Sequence, residues 1–230
     1  MYHAVSPAVP KQATARVEAY AKSEGWNLQL IDAGETEDPE YLANPANRCY
    51  FCKTNLYATI VSSTTSRVLS GTNLDDLSDY RPGLTAAQEH QVVHPYVDCE
   101  IDKATLRNIA RSLELEDLHD LPAAPCLSSR VETGIHISPE VLPIINEVEL
   151  AVRDLLPKVE NVRCRLRQSG VVLELDAGIN VEWHPRLVEI VKECFEPTEF
   201  SHLALKPLIE PYHKGSAFLT QNLAIDITPR

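Results

Sequence analysis

The 230-residue chain has little glycine, one methionine and no long apolar run. Its 8 glycines are about half the usual ~7% share. They stand at 25, 34, 71, 83, 134, 170, 178 and 215, with no two adjacent or two apart. Every phosphate-cradling loop built on closely spaced glycines is thereby excluded, G-x-G-x-x-G and G-x-x-x-x-G-K-[ST] among them. No apolar stretch approaches the roughly 20 residues a membrane helix needs, and Met1-Tyr2-His3 opens no secretion signal. A cytoplasmic location without membrane contact is the expectation. Basic residues are the minority: 21 Lys and Arg against 33 Asp and Glu give a net charge of −12. A phosphate polymer is held by Lys and Arg, so nucleic acid is not an expected partner, although a local basic pocket could still take a small anion.

Six cysteines and 16 prolines are present. Without a secretion signal, and in a chain long enough to bury a core, reduced thiols are the better reading than disulfides. Cys49-Tyr50-Phe51-Cys52 puts two thiols at i and i+3 of an expected helix that starts near Asn47 and runs through Ile60, so they share a face. The helix N-terminus, Arg48 and Lys53 should favour the thiolate form. Cys126 stands in Ala124-Pro125-Cys126-Leu127-Ser128-Ser129-Arg130, where prolines fix the backbone and hydroxyls and a guanidinium could meet an anion. Three converging thiolates would suit an iron–sulfur cluster with one iron left open, but the spacing equally allows unrelated buried or redox cysteines. Cys99, Cys164 and Cys194 read as core residues.

The pattern along the chain predicts two units. Helix Lys11 to Glu24, strand Asn27 to Ile31, the cysteine helix, strand Arg67 to Ser70 and an Asp102-capped helix Lys103 to Leu113 alternate. That alternation predicts an α/β unit over 1–133, a parallel sheet with helices on both faces. Residues 134–230 read as a smaller α+β unit: a long helix from Ser138-Pro139 to about Leu156, a hairpin Asn161–Arg167 and Val171–Asp176, a helix Pro185 to Phe195 and a strand His202 to Lys206. Arg163 and Arg165 share one strand face, and a two-residue turn would place Glu174 opposite one of them. These three could form a surface ladder or an anion clamp. The loop Gly71 to Gly83 follows a strand's C-terminal end, the usual ligand-binding edge of such sheets. Its Thr72 and Asn73 could read a nucleoside and Asp75, Asp76 and Asp79 could hold Mg²⁺, or the whole could be a solvated turn with helix caps.

Three segments, Arg48-Cys49-x-x-Cys52-Lys53, Gly71-Thr72-Asn73-x-Asp75-Asp76-x-x-Asp79-Tyr80-Arg81-Pro82-Gly83 and Pro125-Cys126-Leu127-Ser128-Ser129-Arg130, together resemble the LarE family of ATP-dependent sulfur transferases in the PP-loop superfamily. The resemblance implies a PP-loop-like α/β domain followed by a substrate-binding and oligomerisation domain. It also implies conversion of carboxylates of pyridinium-3,5-biscarboxylic acid mononucleotide to thiocarboxylates, for a nickel-pincer cofactor, after adenylation by ATP with Mg²⁺. Some family members sacrifice a cysteine's sulfur; this sequence resembles those that carry a 4Fe–4S cluster on three cysteines, which here would be Cys49, Cys52 and Cys126, with Cys126 also in the catalytic position. Ser129, Arg130, Arg163, Arg165, Glu149 and Glu174 match substrate-pocket positions, Glu182 matches loosely, and Thr72, Asn73, Asp76 and Arg81 match the nucleotide side. Two departures stand out. The family's Ser-Gly-Gly-x-Asp-Ser pyrophosphate loop has no counterpart here, so the chain is expected to start inside the first domain, with the ATP step impaired and an exposed sheet edge that promotes homo-oligomerisation. Near Gly215, Pro211-Tyr212-His213 replaces the family's Gly-Tyr-Arg. The alternatives are a non-catalytic, cluster-bearing partner or scaffold, and a related tRNA-thiolating enzyme.

Overall fold

The structure, a computed structural model, describes residues 1–78, 80–121, 125–176 and 178–217. It is a mixed α/β arrangement with one two-stranded parallel sheet and one three-stranded mixed sheet. In chain order, β1 (Tyr2–Ala4), α1 (Lys11–Ser23) and β2 (Gln29–Ile31) form a β-α-β unit whose strands pair in parallel. Next come α2 (Pro39–Leu42) and α3 (Arg48–Ser63), then α4 (Gly83–Glu89), α5 (Pro95–Asp98), α6 (Lys103–Ser112) and α7 (Glu116–His119). The last section holds α8 (Val141–Leu155), β3 (Val162–Arg167), β4 (Gly170–Leu175), α9 (His184–Phe195) and β5 (Leu208–Pro211).

The first sheet is smaller than its sequence pattern predicts. Arg67 to Ser70 makes one parallel bridge, Leu69 to Val93, instead of a strand. Helices do not cover both faces either: Leu30 is 47% and Leu69 59% exposed. Helix α6 begins where expected, with Asp102 Oδ1 accepting the Thr105 amide at 2.7 Å, yet none of its residues is buried. The buried apolar group of this half is small: Tyr57, Ala86, Ala87 and Val92.

The second section folds as a layer of α8 and α9 on a sheet ordered β3-β4-β5. The hairpin register pairs Arg167 with Gly170, so the turn is the two residues Gln168 and Ser169. Gly170 has φ +106°, and a Cβ there would stand 2.9 Å from the Leu203 carbonyl oxygen, so both conformation and space demand glycine. The strand expected at His202 to Lys206 is instead a 3₁₀ turn over Ser201–Ala204, and β5 follows it at Leu208. Pro207 lies between them, and the pairing strand can start only beyond it. Leu142, Ile145, Val148 and Val152 of α8, Val162 and Cys164 of β3, Leu173 and Leu175 of β4, and Leu187, Val191 and Phe195 of α9 form the principal core, every one at most 1% exposed. That core reaches back across position 134 to Ala8, Tyr41 and Leu127, with Phe51, Cys52 and Cys126 packed against it.

Candidate functional site

The site is built where the N-terminal helices meet this core, and a buried polar hub fixes the junction. Asn44 (φ +54°, fully buried) donates from Nδ2 to the carbonyls of Glu132 at 2.8 Å and Ile135 at 2.9 Å. Arg48 Nη1 donates to Asn44 Oδ1 at 2.6 Å, and the Gly134 amide to the Asn44 carbonyl at 2.9 Å. The first turn of α3, which carries Cys49 and Cys52, is thus tied to the loop entering α8. Asn47 occupies the cap position of α3 without a side-chain cap bond.

The Cys126 loop is held from the other side. Leu127 to Arg130 is a buried 3₁₀ turn. The Leu127 amide donates to the Ala8 carbonyl at 2.8 Å, and the Tyr41 and Ser128 hydroxyls bond to each other. Arg130 makes a bidentate pair with Glu149 of α8, with Nε–Oε1 and Nη2–Oε2 both 2.8 Å, while its Nη1 donates to the carbonyls of Pro125 at 2.7 Å and Cys126 at 3.2 Å. Glu149 Oε1 also accepts the Cys164 amide at 3.0 Å. Both partners are almost fully buried, and only this geometry, with the lone pairs used, repays the desolvation of two charges.

This framework brings Cys126 within electrostatic range of Cys49 and Cys52, across 74 residues of chain from the latter. The expectation of thiolates is not met. Burial raises the Cys49 thiol pKa despite Arg48, Lys53 and Arg81, and pushes Cys52 up to about 12, with neighbouring Cys126 adding to both shifts. Desolvation of the ionised form outweighs the nearby cations because the thiols pack against the core. Among the described residues, no group of three or more His, Cys, Asp or Glu is arranged to hold a single metal ion. Thiolates around one zinc lie about 3.8 Å apart, as its ~2.3 Å bonds require. A polynuclear cluster binds each cysteine at a different iron and needs wider spacing. Cys49, Cys52 and Cys126 are three half-buried thiols on two anchored segments, with Cys126 close enough to raise the pKa of both Cys49 and Cys52.

The remaining residues sort by their partners. Arg163, Arg165 and Glu174 are buried, which rejects the surface ladder. Glu174 stands opposite Arg163 in the register, yet its carboxylate is held diagonally by Arg165 Nε at 3.0 Å and by Arg167. The Ser216 hydroxyl also donates to Glu174. Arg165 Nη1 reaches the Ser129 carbonyl at 2.9 Å, so β3 braces the Cys126 loop. Arg163 lies over the Tyr212 ring, 5.7 Å from its centroid, so the Pro211-Tyr212-His213 segment meets β3. Glu182 is exposed and bonds Asn180, apart from this network. Cys164 is buried as expected and Cys194 half-buried, whereas Cys99 is exposed because it closes the short surface helix α5.

The loop after Gly71 spends its polar groups on itself. Asn73 and Asp76 form a capping box over a 3₁₀ turn Leu74–Leu77, Asp76 pairs with Arg81 at 2.8 Å, and Asp75 accepts the Lys103 amide at 2.7 Å. The Thr72 hydroxyl bonds Ser70. This is the capped-turn reading of those residues; Asp79 lies outside the described residues. The loop nevertheless borders the cysteines: Arg81 acts on Cys49, and a Cβ on Gly83 would come within 2.9 Å of the Lys53 side chain and 3.4 Å of the Cys49 carbonyl.

Tyr41, Asn44 and Glu35 went unnoticed in the sequence. Glu35 is 4% exposed, its Oε2 has no hydrogen-bond partner among the described residues, and its charge acts on Tyr41 and Cys52. Burial raises the Tyr41 pKa, with Cys126 adding to it. No motif marks these residues; only Asn44-Pro45, a turn-forming pair, gave a local signal.

No family model matches the chain. It is similar to the uncharacterized protein slr1717 of Synechocystis sp., 38% identical over 176 residues, which cover 75% of this chain and 65% of that protein. It is also similar to the uncharacterized protein MJ0830 of Methanocaldococcus jannaschii, 31% identical over 164 residues, or 70% of this chain and 61% of that one. The chain therefore spans less than two thirds of the length of either relative.

Proposed function

We propose that this chain is the cluster-carrying and substrate-holding part of a LarE-like sulfur transferase in the PP-loop superfamily. The observation that carries the reading is the meeting of Cys49, Cys52 and Cys126, brought together from distant segments beside the buried Arg130–Glu149 pair. Cys49, Cys52 and Cys126 would hold a 4Fe–4S cluster, which when bound supplies a sulfide for transfer from its open iron. Binding would take the protons that burial keeps on Cys49 and Cys52, so assembly releases protons. Arg130 fixes the backbone on both sides of Cys126 through the Pro125 and Cys126 carbonyls. Arg165, paired with Glu174, braces that loop through the Ser129 carbonyl, and Arg163 on the same strand carries a guanidinium suited to an anionic mononucleotide. Arg81 acts on Cys49, but the side chains of Thr72, Asn73 and Asp76 brace their own loop, and ATP activation is assigned to no residue of this chain.

No helix among the described residues is long and apolar enough to cross a membrane. The −12 charge disfavours tRNA and favours a small molecule as the substrate. The commitment of Asp75 and Asp76 to capping favours a second reading, a cluster-bearing partner that does not itself activate substrate. Anaerobic reconstitution with iron and sulfide, followed by iron counting and then thiocarboxylate formation with and without ATP, separates the two. Cluster uptake with turnover supports the enzyme, uptake without turnover the partner, and no uptake rejects both.

A further inference from the structure

Glu35 is buried, at 4% exposure, and its Oε2 has no hydrogen-bond partner among the described residues. A carboxylate oxygen taken out of water without a partner is costly and calls for an ion, a ligand or a chemical role. Its backbone is fixed in place. Gly34, at φ +75°, leads into the 3₁₀ turn Glu35–Glu37, and the Asp38 amide closes that turn on the Glu35 carbonyl at 3.3 Å. Asp38 then accepts Nδ2 of Asn55 on α3 at 2.6 Å. Asn55 comes three residues after Cys52 and so shares its face of the helix, which binds the turn to the Cys52 side of α3. Tyr41, on α2 just beyond the turn, bonds Ser128, two residues after Cys126. The Glu35 charge acts on both Cys52 and Tyr41. The unpartnered carboxylate thus belongs to the same junction of α3 and the Cys126 loop as the thiols.

We propose that Glu35 is the exchangeable fourth ligand of the cluster, its carboxylate bonding the iron that no cysteine holds. The proposal rests on the cluster reading above and deepens it. A carboxylate oxygen is a harder donor than thiolate or sulfide and a poorer match for iron in a sulfur-rich site. Hydrosulfide can therefore displace it: one Fe–O bond breaks, one Fe–S bond forms, the carboxylate leaves with its electron pair and no electron is transferred. Bound, Glu35 keeps the fourth iron in place until sulfide arrives.

The test uses the full chain, its glutamate carboxyl carbons labelled with carbon-13, reconstituted anaerobically with iron and sulfide. In the reduced, paramagnetic cluster, electron–nuclear double resonance should show a carboxylate carbon coupled to the cluster, and excess hydrosulfide should abolish the coupling. Glu35→Gln should lack it and should lose about one iron in four on mild ferricyanide oxidation. The unaltered chain and Glu37→Gln, at the exposed end of the same turn, should keep all their iron. Because Glu35→Gln removes a buried charge without a partner, its metal-free form should unfold at no lower urea concentration than the unaltered chain. A lower midpoint would contradict the unpartnered carboxylate on which the proposal stands. Cluster iron with no carboxylate coupling, or coupling that survives in Glu35→Gln, overturns the proposal and leaves the cluster reading standing. No iron in the unaltered chain overturns both.

Discussion

The two halves of this molecule treat their apolar and charged groups differently. From α8 to β5 a large apolar core is sealed, although Val181, Trp183, Leu205 and Leu208 stay exposed outside it, and two carboxylates are buried in pairs, Glu149 with Arg130 and Glu174 with Arg165. In the first half Leu30, Leu69 and Ile109 are exposed, α6 buries nothing, and most ion pairs are wet. The lesson concerns the cysteines at the junction. They are anchored to the sealed core, through the Arg130–Glu149 pair and the Asn44 bond to the Ile135 carbonyl, although all three belong in sequence to the first half.

The largest expected break comes from the buried pairs. Glu149→Ala would leave Arg130 buried without its anion and cost about 3–5 kcal/mol in urea unfolding. Leu142→Ala, in the sealed core, should cost about 2–5 kcal/mol, whereas Leu30→Ala, 47% exposed, should stay within about 0.5 kcal/mol. Similar costs at these two sites would erase the contrast. Gly170→Ala should cost on the order of 1–3 kcal/mol, from strain at positive φ and the approach to the Leu203 carbonyl.

Thiol chemistry sharpens the comparison at smaller energy. In the metal-free chain, exposed Cys99 should alkylate first at neutral pH, and Cys52, held protonated with its pKa pushed up to about 12, far more slowly. Because the folded chain binds the Cys49 and Cys52 protons more tightly than the unfolded chain, their contribution to stability is full below about pH 8.5 and declines as pH rises towards 12. A urea midpoint that rises between pH 8 and 10 would contradict this sign.

Local signals carried much of this fold. Asp102 capped α6, periodicity gave α9 almost to its ends and α8 from a start a few residues too early, and alternation gave the β3–β4 hairpin with its turn length left open. The first sheet was misjudged because Arg67 to Ser70 has strand-forming residues but meets only Val93. Long-range burial was invisible too: Arg48 and Lys53 are sequence neighbours of the thiols, so thiolates looked favoured until packing against the distant core outweighed them. The Glu149–Arg130 and Glu174–Arg165 partnerships could not be read from spacing, because α8 and the strands choose them in three dimensions.

The most direct test of the central claim is iron content after anaerobic reconstitution of the unaltered chain, Cys126→Ala and Cys194→Ala. The account predicts about four irons per chain, as a 4Fe–4S cluster requires, retained in Cys194→Ala and lost in Cys126→Ala. Equal iron in all three, or none in the unaltered chain, would contradict it.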